Sequence, residues 1–157
     1  MKIRLFLLAA LAAVLTGCGV SSSVAYYDHK PQLIRAELDG TYVIRSCAKD
    51  RNSSRALSEA RKRAVYDVIF NGVASASSTV NSLKPLILEV NAKDKYQDYF
   101  NEFFADGGDY LKYITAEDKR SASSSFQRSN QRVLCLTNVT VYVAELRKKL
   151  KEDNIVK

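Results

Sequence analysis

The fold is decided by the longest β-branched run in the chain, residues 131–143, which reads QRVLCLTNVTVYV. Successive side chains of a strand point to opposite faces of a sheet, so every second residue lies on one face. The odd positions of the run form its more apolar face, made of Val133, Cys135, Val139, Val141 and Val143. This alternation predicts a long strand that buries one face against a core.

A pairing partner for this strand is predicted just upstream. Residues 110–117 have strand composition, and the polar segments 121–125 and 129–130 separate them from the valine run. Serine and asparagine in these segments favour turns, because their side chains bond to nearby backbone groups. We therefore predict a long antiparallel hairpin.

Another strand is predicted at residues 41–48, which are rich in β-forming residues.

The clearest helical period runs from about residue 53 to residue 71. Apolar side chains recur there at steps of three and four residues and cover one face: Ala56, Leu57, Ala60, Ala64, Val65, Val68 and Ile69. Such a stripe predicts a helix packed on a core, and its small alanine row lets the helix lie close to a sheet. Asn52 or Ser53 can cap the first turn, and Gly72 can end the helix.

A second helix is predicted to open at Lys93 or Asp94 and to stop at Gly107-Gly108. Four aromatic side chains at helical spacing face one way along it: Tyr96, Phe100, Phe103 and Phe104. An aromatic stripe of this kind is typical of a helix that packs on the core.

Together these elements predict an α+β fold. Its three-stranded antiparallel sheet is packed by two main helices and by a short C-terminal helix at residues 144–150. Residues 84–88 could add a short fourth edge strand, or could form a packed extended segment. Pro85 excludes them from the centre of the sheet, since proline cannot donate to a strand ladder. The first strand is expected at an edge of the sheet, most simply beside the last strand.

The amino-terminal residues have the features of a processing segment. Lys2 and Arg4 provide positive charge, and Leu5–Leu15 form an uninterrupted apolar run. That run is too short to span a bilayer, which takes about 20 residues. We therefore predict a signal peptide at residues 1–17.

The motif Leu15-Thr16-Gly17-Cys18 resembles the lipobox of bacterial lipoproteins. This resemblance implies that lipid is attached to the thiol of Cys18 and that the chain is cleaved before it. In lipoproteins of Gram-negative bacteria an acidic next residue commonly retains the protein at the inner membrane. Gly19 therefore implies an outer-membrane location, with the domain facing the periplasm. Residues 18–32 then form the lipidated cysteine and a flexible tether, and residues 33–157 form a single α+β domain.

The charge balance of the chain is mildly basic. It has 24 Lys and Arg against 17 Asp and Glu, and removal of Lys2 and Arg4 with the signal peptide leaves a net charge of +5. In an exported protein the relevant anionic partners are membrane lipid, cell-wall polymer or an envelope protein, and no nucleic acid is expected.

Two sets of side chains could form an interaction surface. The long helix has a mixed, net basic face opposite its apolar stripe, and this face is either solvated or a docking surface for an acidic partner. It carries Arg55, Glu59, Lys62 and Tyr66. The aromatic stripe is expected to be core, but Tyr99 at its margin and Tyr110 after it could form an exposed platform for sugar or peptide.

Two cysteines remain besides Cys18. Cys47 and Cys135 are predicted either to form a disulfide, which an oxidising compartment permits, or to be two buried reduced thiols. A bridge requires their Cα atoms to lie within about 7 Å. The strand register decides between these alternatives, and the sequence leaves both open.

An envelope enzyme of the hydrolase type is the alternative to a binding module. Its site would lie near Asp67, Arg61 and Asp109, although Asp67 has a simpler role as the ion-pair partner of Arg63. A Ser/His/Asp triad would have to use His29, which is the single histidine and falls in the tether. No Gly-rich phosphate loop is present, and no cofactor is predicted. A metal site would need more His or Cys than the chain has.

A wider resemblance covers most of residues 40–155. It rests on the strand at 41–48, on Ala56, Ala60, Ala64 and Val68, on Phe103-Phe104 followed by Gly107-Gly108-Asp109-Tyr110, and on the valine strand that runs into Leu146–Leu150. These features resemble uncharacterised envelope lipoproteins. More distantly they resemble the amino-terminal domain of flagellar assembly protein T and lipoprotein activators of penicillin-binding proteins. The resemblance implies a non-enzymatic binding or assembly role and transfers no catalytic residue.

Overall fold

The computed structural model describes residues 30–78, 80–115, 124–129 and 131–156. The predicted signal peptide, the predicted lipidation site Cys18 and the tether as far as residue 29 lie outside the described residues. The described elements are, in chain order, β1 (Gln32–Ala36), β2 (Thr41–Asp50), α1 (Ser53–Phe70), β3 (Ala74–Ser75), α2 (Ala92–Lys95), α3 (Gln97–Phe103), a 3₁₀ helix (Asp109–Tyr113), β4 (Ile114–Thr115), β5 (Ser125–Ser129), β6 (Arg132–Tyr142) and α4 (Val143–Glu152).

Within the described residues, the sheet is mixed and has six strands. Its order is β3-β1-β2-β6-β4, and β5 also pairs with β6. β1 and β3 run parallel, whereas the other pairs are antiparallel. The α+β class is confirmed, but the three-stranded antiparallel sheet is wrong in detail. The strands β3 and β4 have two residues each, which are too few to show a period. The strand β1 begins at Gln32, and its pairing is irregular because the register shifts between Leu33 and Arg35.

The two longest strands lie side by side at the centre of the sheet. All ten residues of β2 pair with β6, from Thr41 opposite Tyr142 to Asp50 opposite Val133. The first predicted strand is therefore next to the last, as expected. It is not at an edge, because β1 pairs with its other side.

The predicted pairing of residues 110–117 with β6 is confirmed only at β4, where Ile114 and Thr115 pair antiparallel with Val141 and Thr140. Residues 116–117 lie outside the described residues. β6 forms its hairpin with β5, and the segment predicted as a strand from residue 110 begins as a 3₁₀ helix. Tyr110 and Tyr113 are three residues apart, which is one 3₁₀ turn, so both rings can face α3. Tyr110 contacts Phe104 at 5.9 Å between ring centroids, and Tyr113 stacks on Phe103 at 6.1 Å. Aromatic packing therefore overrides the strand composition.

The helix α1 begins and ends as predicted. Asn52 is its N-cap, and its side-chain Oδ1 accepts a hydrogen bond from the backbone N–H of Ser54 at 2.9 Å. Gly72 follows the helix with a φ of +74°. A Cβ at Gly72 would lie 2.7 Å from the backbone oxygen of Leu83, so both conformation and space require glycine there.

The core lies between one face of the sheet and the helices α1, α3 and α4. Ile44 of β2 and Val139 of β6 are directly opposed on that face and are fully buried. The alanine row of α1 is completely buried as predicted, which lets the helix lie close to the sheet. The other large buried side chains on this side include Val65, Val68, Ile69, Phe103, Tyr110, Leu146 and Leu150.

The second predicted helix is divided into α2 and α3 at Tyr96, whose φ of −113° and ψ of 28° are not helical. Its aromatic stripe is core at Phe100 and Phe103, as predicted, while Phe104 is half-buried. Residues 84–88 form the packed extended segment and not an edge strand. Among the described helices, none is both long and apolar enough to cross a bilayer.

Candidate binding groove

A groove of about 910 Å³ lies between α1 and the α2–α3 segment. We call it the α1–α3 groove. Its α1 wall is a stripe at steps of three and four residues, which places the side chains on one side of the helix. The lining residues are Glu59, Lys62, Arg63, Tyr66 and Phe70 of α1, Lys93 of α2, Gln97, Phe100, Asn101 and Phe104 in and after α3, Ala48 and Lys49 of β2, and Arg132 of β6.

Four aromatic rings form the floor of the α1–α3 groove. Phe70 is central, with its ring centroid 4.8 Å from Tyr66 and 4.7 Å from Phe100. Tyr66 also contacts Phe104 at 5.8 Å. The rings in these three pairs are inclined to each other by 50°, 67° and 53° respectively. The floor is therefore a concave apolar cluster and not a flat platform.

Cations surround this aromatic floor. Among the described lining residues, five are basic and one is acidic: Lys49, Lys62, Arg63, Lys93 and Arg132 against Glu59. The exposed Lys93 places its Nζ 4.7 Å from the centroid of Tyr66 and 5.1 Å from that of Phe70, which is cation–π geometry. The excess of positive charge makes the groove attractive to an anionic ligand.

Two of the groove cations are held by carboxylates. Lys62 Nζ lies 3.5 Å from Glu59 Oε1 and 3.6 Å from Asp106 Oδ1, and only 22% of its side chain is exposed. Arg63 Nε lies 3.8 Å from Oδ2 of the buried Asp67. The predicted pairing of Asp67 with Arg63 is thus confirmed. The Asp67 carboxylate also accepts from the Asn71 side chain, so Arg63 is tied to the end of α1.

The residues named for an interaction surface fall in different places. Lys62 and Tyr66 line the α1–α3 groove, while Arg55 is exposed in the first turns of α1 and is not among the lining residues. Tyr110 is only 1% exposed, so its ring belongs to the core. Lys62 still contacts that ring, with Nζ 5.9 Å from its centroid.

Tyr99 lies on the other side of α3 from the groove floor. Its hydroxyl donates to Asp153 Oδ2 at 2.6 Å, and its ring stacks on Phe103. Burial first, and then the hydrogen bond to Asp153, raise the pKa of Tyr99 well above its usual range. Lys149 also binds Asp153, at 2.9 Å. These contacts join α3 to α4 and give Tyr99 a structural role.

Several groove residues were not singled out from the sequence. Phe70, at the end of the Glu59–Tyr66 face, could have been found by extending that face by one more turn of helix. Lys93 was noted only as a candidate helix start. The sequence could not predict that Arg132 lines the groove, because Arg132 is distant in the chain from α1. The pairing of β6 with β2 brings it to the groove.

The three residues named for an alternative enzyme site have different surroundings. Asp67 contacts Arg63 and Asn71 at the buried side of α1. Asp109 Oδ1 lies 2.7 Å from Lys112 Nζ, in a separate depression of about 410 Å³. Arg61 acts electrostatically on Cys135 in the sheet. Within the described ranges, no group of three or more His, Cys, Asp or Glu has metal-site geometry.

Cys47 and Cys135 are both buried and lie on the two central strands. The register pairs Cys47 with Leu136 and Ala48 with Cys135. Because directly opposed residues share a face and successive residues alternate, the two cysteine side chains point to opposite faces of the sheet. This geometry is unfavourable for a disulfide between them.

We predict that Cys135 reacts slowly with thiol reagents in the folded chain. Burial raises the pKa of its thiol to about 11, with Arg61 lowering it and Cys47 raising it by smaller amounts. At pH 8 alkylation by iodoacetamide, followed by peptide mass spectrometry, should be at least about tenfold slower at Cys135 in the folded than in the urea-unfolded chain. Equal rates would contradict this packing.

The same thiol makes stability depend on pH. A thiol in the unfolded chain has a pKa of about 8.5, below the folded value, so the protonated form is favoured by folding. The contribution of Cys135 to stability should be present below about pH 8.5 and should be lost as the pH rises towards 11. Urea unfolding of Cys135→Ala should show a smaller loss across that interval than the unmodified chain.

Comparisons of the chain with protein-family models, with curated proteins and with solved structures each found no match. The function is therefore inferred from the chain's own residues.

Proposed function

We propose that the chain is a lipid-anchored binding or assembly module of a bacterial envelope, with no chemistry of its own. In this proposal lipid on Cys18 attaches the domain to the outer membrane, and the α1–α3 groove binds a partner in the periplasm. The partner is an envelope protein or an anionic cell-wall polymer. The lipobox-like motif at residues 15–18 supports the anchor.

The observation that carries the binding role is the composition of the α1–α3 groove. Among the described lining residues, five basic residues and one acidic residue accompany four aromatic rings. Carboxylates already hold Lys62 and Arg63, whereas Lys93 is exposed above the rings. Charged side chains steer an anionic partner to the surface, and aromatic rings contribute apolar contact area once it is bound. The groove is also built on regular elements, since α1 is fastened by its cap and by the Asp67 contacts with Arg63 and Asn71.

The tether is compatible with this role. From Cys18 to Pro31 the chain could extend at most roughly 45 Å, at about 3.5 Å per residue. A domain on such a tether can meet partners near the membrane surface. The tether confines the domain to a small volume near the membrane, which raises its effective concentration towards a partner there. A modest affinity would then be enough for binding.

A photocrosslinking experiment in cells tests the binding role. A photoreactive amino acid at Gln97 or Asn101, both exposed at the edge of the α1–α3 groove, should capture the same partner. The matched control position is Arg147, which is exposed on α4. Protease and muramidase digestion of the product distinguish a protein partner from cell-wall polymer.

The crosslink should depend on the groove charge. We expect Lys93→Glu to reduce the yield of the product by about tenfold, because it reverses a charge above the aromatic floor. The exposed Lys151→Glu on α4 should leave the yield unchanged. Equal capture at Gln97 and Arg147, or capture that is unaffected by Lys93→Glu, would contradict a role for the groove.

A further inference from the structure

We infer that the α1–α3 groove binds an acidic peptide segment that carries an apolar anchor side chain, so that the partner is a protein and not a glycan. This inference rests on the proposed binding function and specifies the ligand of the same groove. Three properties of the groove favour such a peptide: the inclination of its rings, the position of Lys93 and the length of its α1 wall.

The inclination of the rings disfavours a sugar ligand. A flat platform for stacked sugar rings would present aromatic faces that lie nearly parallel to one another. Tyr66 and Phe70 are instead inclined by 50°, and Tyr66 and Phe104 by 53°. Phe100 is inclined by only 26° to Phe104, but it is 7% exposed, so little of its ring is accessible. A concave cluster of this kind suits one compact apolar side chain.

Lys93 occupies the place where that side chain would bind. Its ammonium lies over both Tyr66 and Phe70. A lysine side chain is long and flexible, and a carboxylate on the ligand is a stronger partner for its charge than an aromatic ring. Lys93 can therefore move to a ligand carboxylate and leave the ring faces to an apolar group. The groove thus favours a ligand that carries both an acid and an apolar side chain.

The length of the α1 wall indicates the length of the peptide. Glu59 and Phe70 are eleven residues apart in α1, which is about 16 Å at 1.5 Å per residue. An extended peptide covers this distance with about five residues, at about 3.3 Å each. Lys93 supplies positive charge beside it, and the exposed amides of Gln97 and Asn101 can bond to a peptide backbone.

Binding of synthetic probes to the purified full chain tests the inference. The first probe is a fluorescein-labelled peptide in which glutamates flank a central phenylalanine. The second has serine in place of the phenylalanine, and the third has lysine in place of the glutamates. The fourth is a labelled polygalacturonate oligomer with as many carboxylates as the first. Fluorescence anisotropy at about 0.15 M salt measures each affinity.

We expect the first peptide to bind at least about tenfold more tightly than the other three probes. Lys93→Glu should weaken its binding by about tenfold, and the control Lys151→Glu should have no effect. The comparisons of the first peptide with the other three probes all use the unmodified protein. They therefore do not depend on whether a groove variant folds. Circular dichroism of Lys93→Glu confirms that the fold is retained.

Each other outcome overturns the inference. Absence of saturable binding by the first peptide, or equal binding of the serine peptide, excludes an apolar anchor in an acidic peptide. Tighter binding of polygalacturonate, lost in Lys93→Glu, overturns the peptide ligand but leaves the proposed binding function standing. The crosslinking experiment in cells tests the proposed binding function separately. That function fails if crosslinking is equal at Gln97 and Arg147 or is unaffected by Lys93→Glu.

Discussion

Cys18→Ser should move the protein from the membrane fraction to the soluble fraction of cells. The physical reason is that each buried methylene of an attached acyl chain contributes about 0.8 kcal/mol to membrane binding, and that more than one chain is needed for stable anchoring. None of the described helices is long and apolar enough to span a bilayer. Cell fractionation in carbonate buffer, followed by immunoblotting, measures the change.

Cys135→Ala is the matched control, since it removes a thiol that is buried in the sheet. We expect this variant to stay in the membrane fraction. Mass spectrometry of the native protein should find an acylated residue 18 at a new amino terminus. An unmodified thiol at Cys18, or an intact segment at residues 1–17, would overturn the anchor and with it the location that we propose.

Ile44→Ala should lower the free energy of unfolding by about 2–5 kcal/mol. Ile44 is fully buried at the centre of the sheet, where it lies opposite Leu33 of β1 and Val139 of β6. Truncation removes apolar contacts and leaves a cavity between rigid elements, which the sheet and α1 can close only in part. Urea unfolding followed by circular dichroism measures the loss.

The control for Ile44 is Leu38→Ala in the turn between β1 and β2. Leu38 is fully exposed, so its truncation removes almost no buried surface. We expect its effect on the free energy of unfolding to stay within about 0.5 kcal/mol. An Ile44→Ala variant as stable as Leu38→Ala would mean that the β1–β2–β6 face does not form the core.

The long helix and the last strand were predictable because each carries its full signal locally. In α1 the cap at Asn52, the apolar stripe and the final Gly72 all agree, and the structure confirms each. The alternation in β6 extends over eleven residues, which is long enough to show a two-residue period. The short strands β3 and β4 have no such pattern, since two residues cannot show one.

The α1–α3 groove was predictable only in part. Glu59, Lys62 and Tyr66 lie on the helix face that was predicted as a possible docking surface, so helical spacing brought together three of the five residues in the α1 wall. Phe100 and Phe104 were assigned to the core stripe, because the sequence does not show that one edge of the stripe opens onto a groove. The sequence did not show that Tyr110 is buried, because this depends on how the 3₁₀ helix packs. It also did not show that Tyr99 bonds to Asp153 at the end of α4.

By itself, the sequence determined the α+β class, the extent of α1 and the alternating face of β6, because periodicity and capping act over a few residues of chain. It also supplied the lipobox-like motif on which the anchoring proposal rests. Only the tertiary structure decided the sheet order, the opposed directions of Cys47 and Cys135, and the meeting of Lys93 and Arg132 with α1. These features bring together residues that are distant in the chain. Strand register and the competition of apolar side chains for burial decide which residues meet, and neither can be seen in a short stretch of sequence.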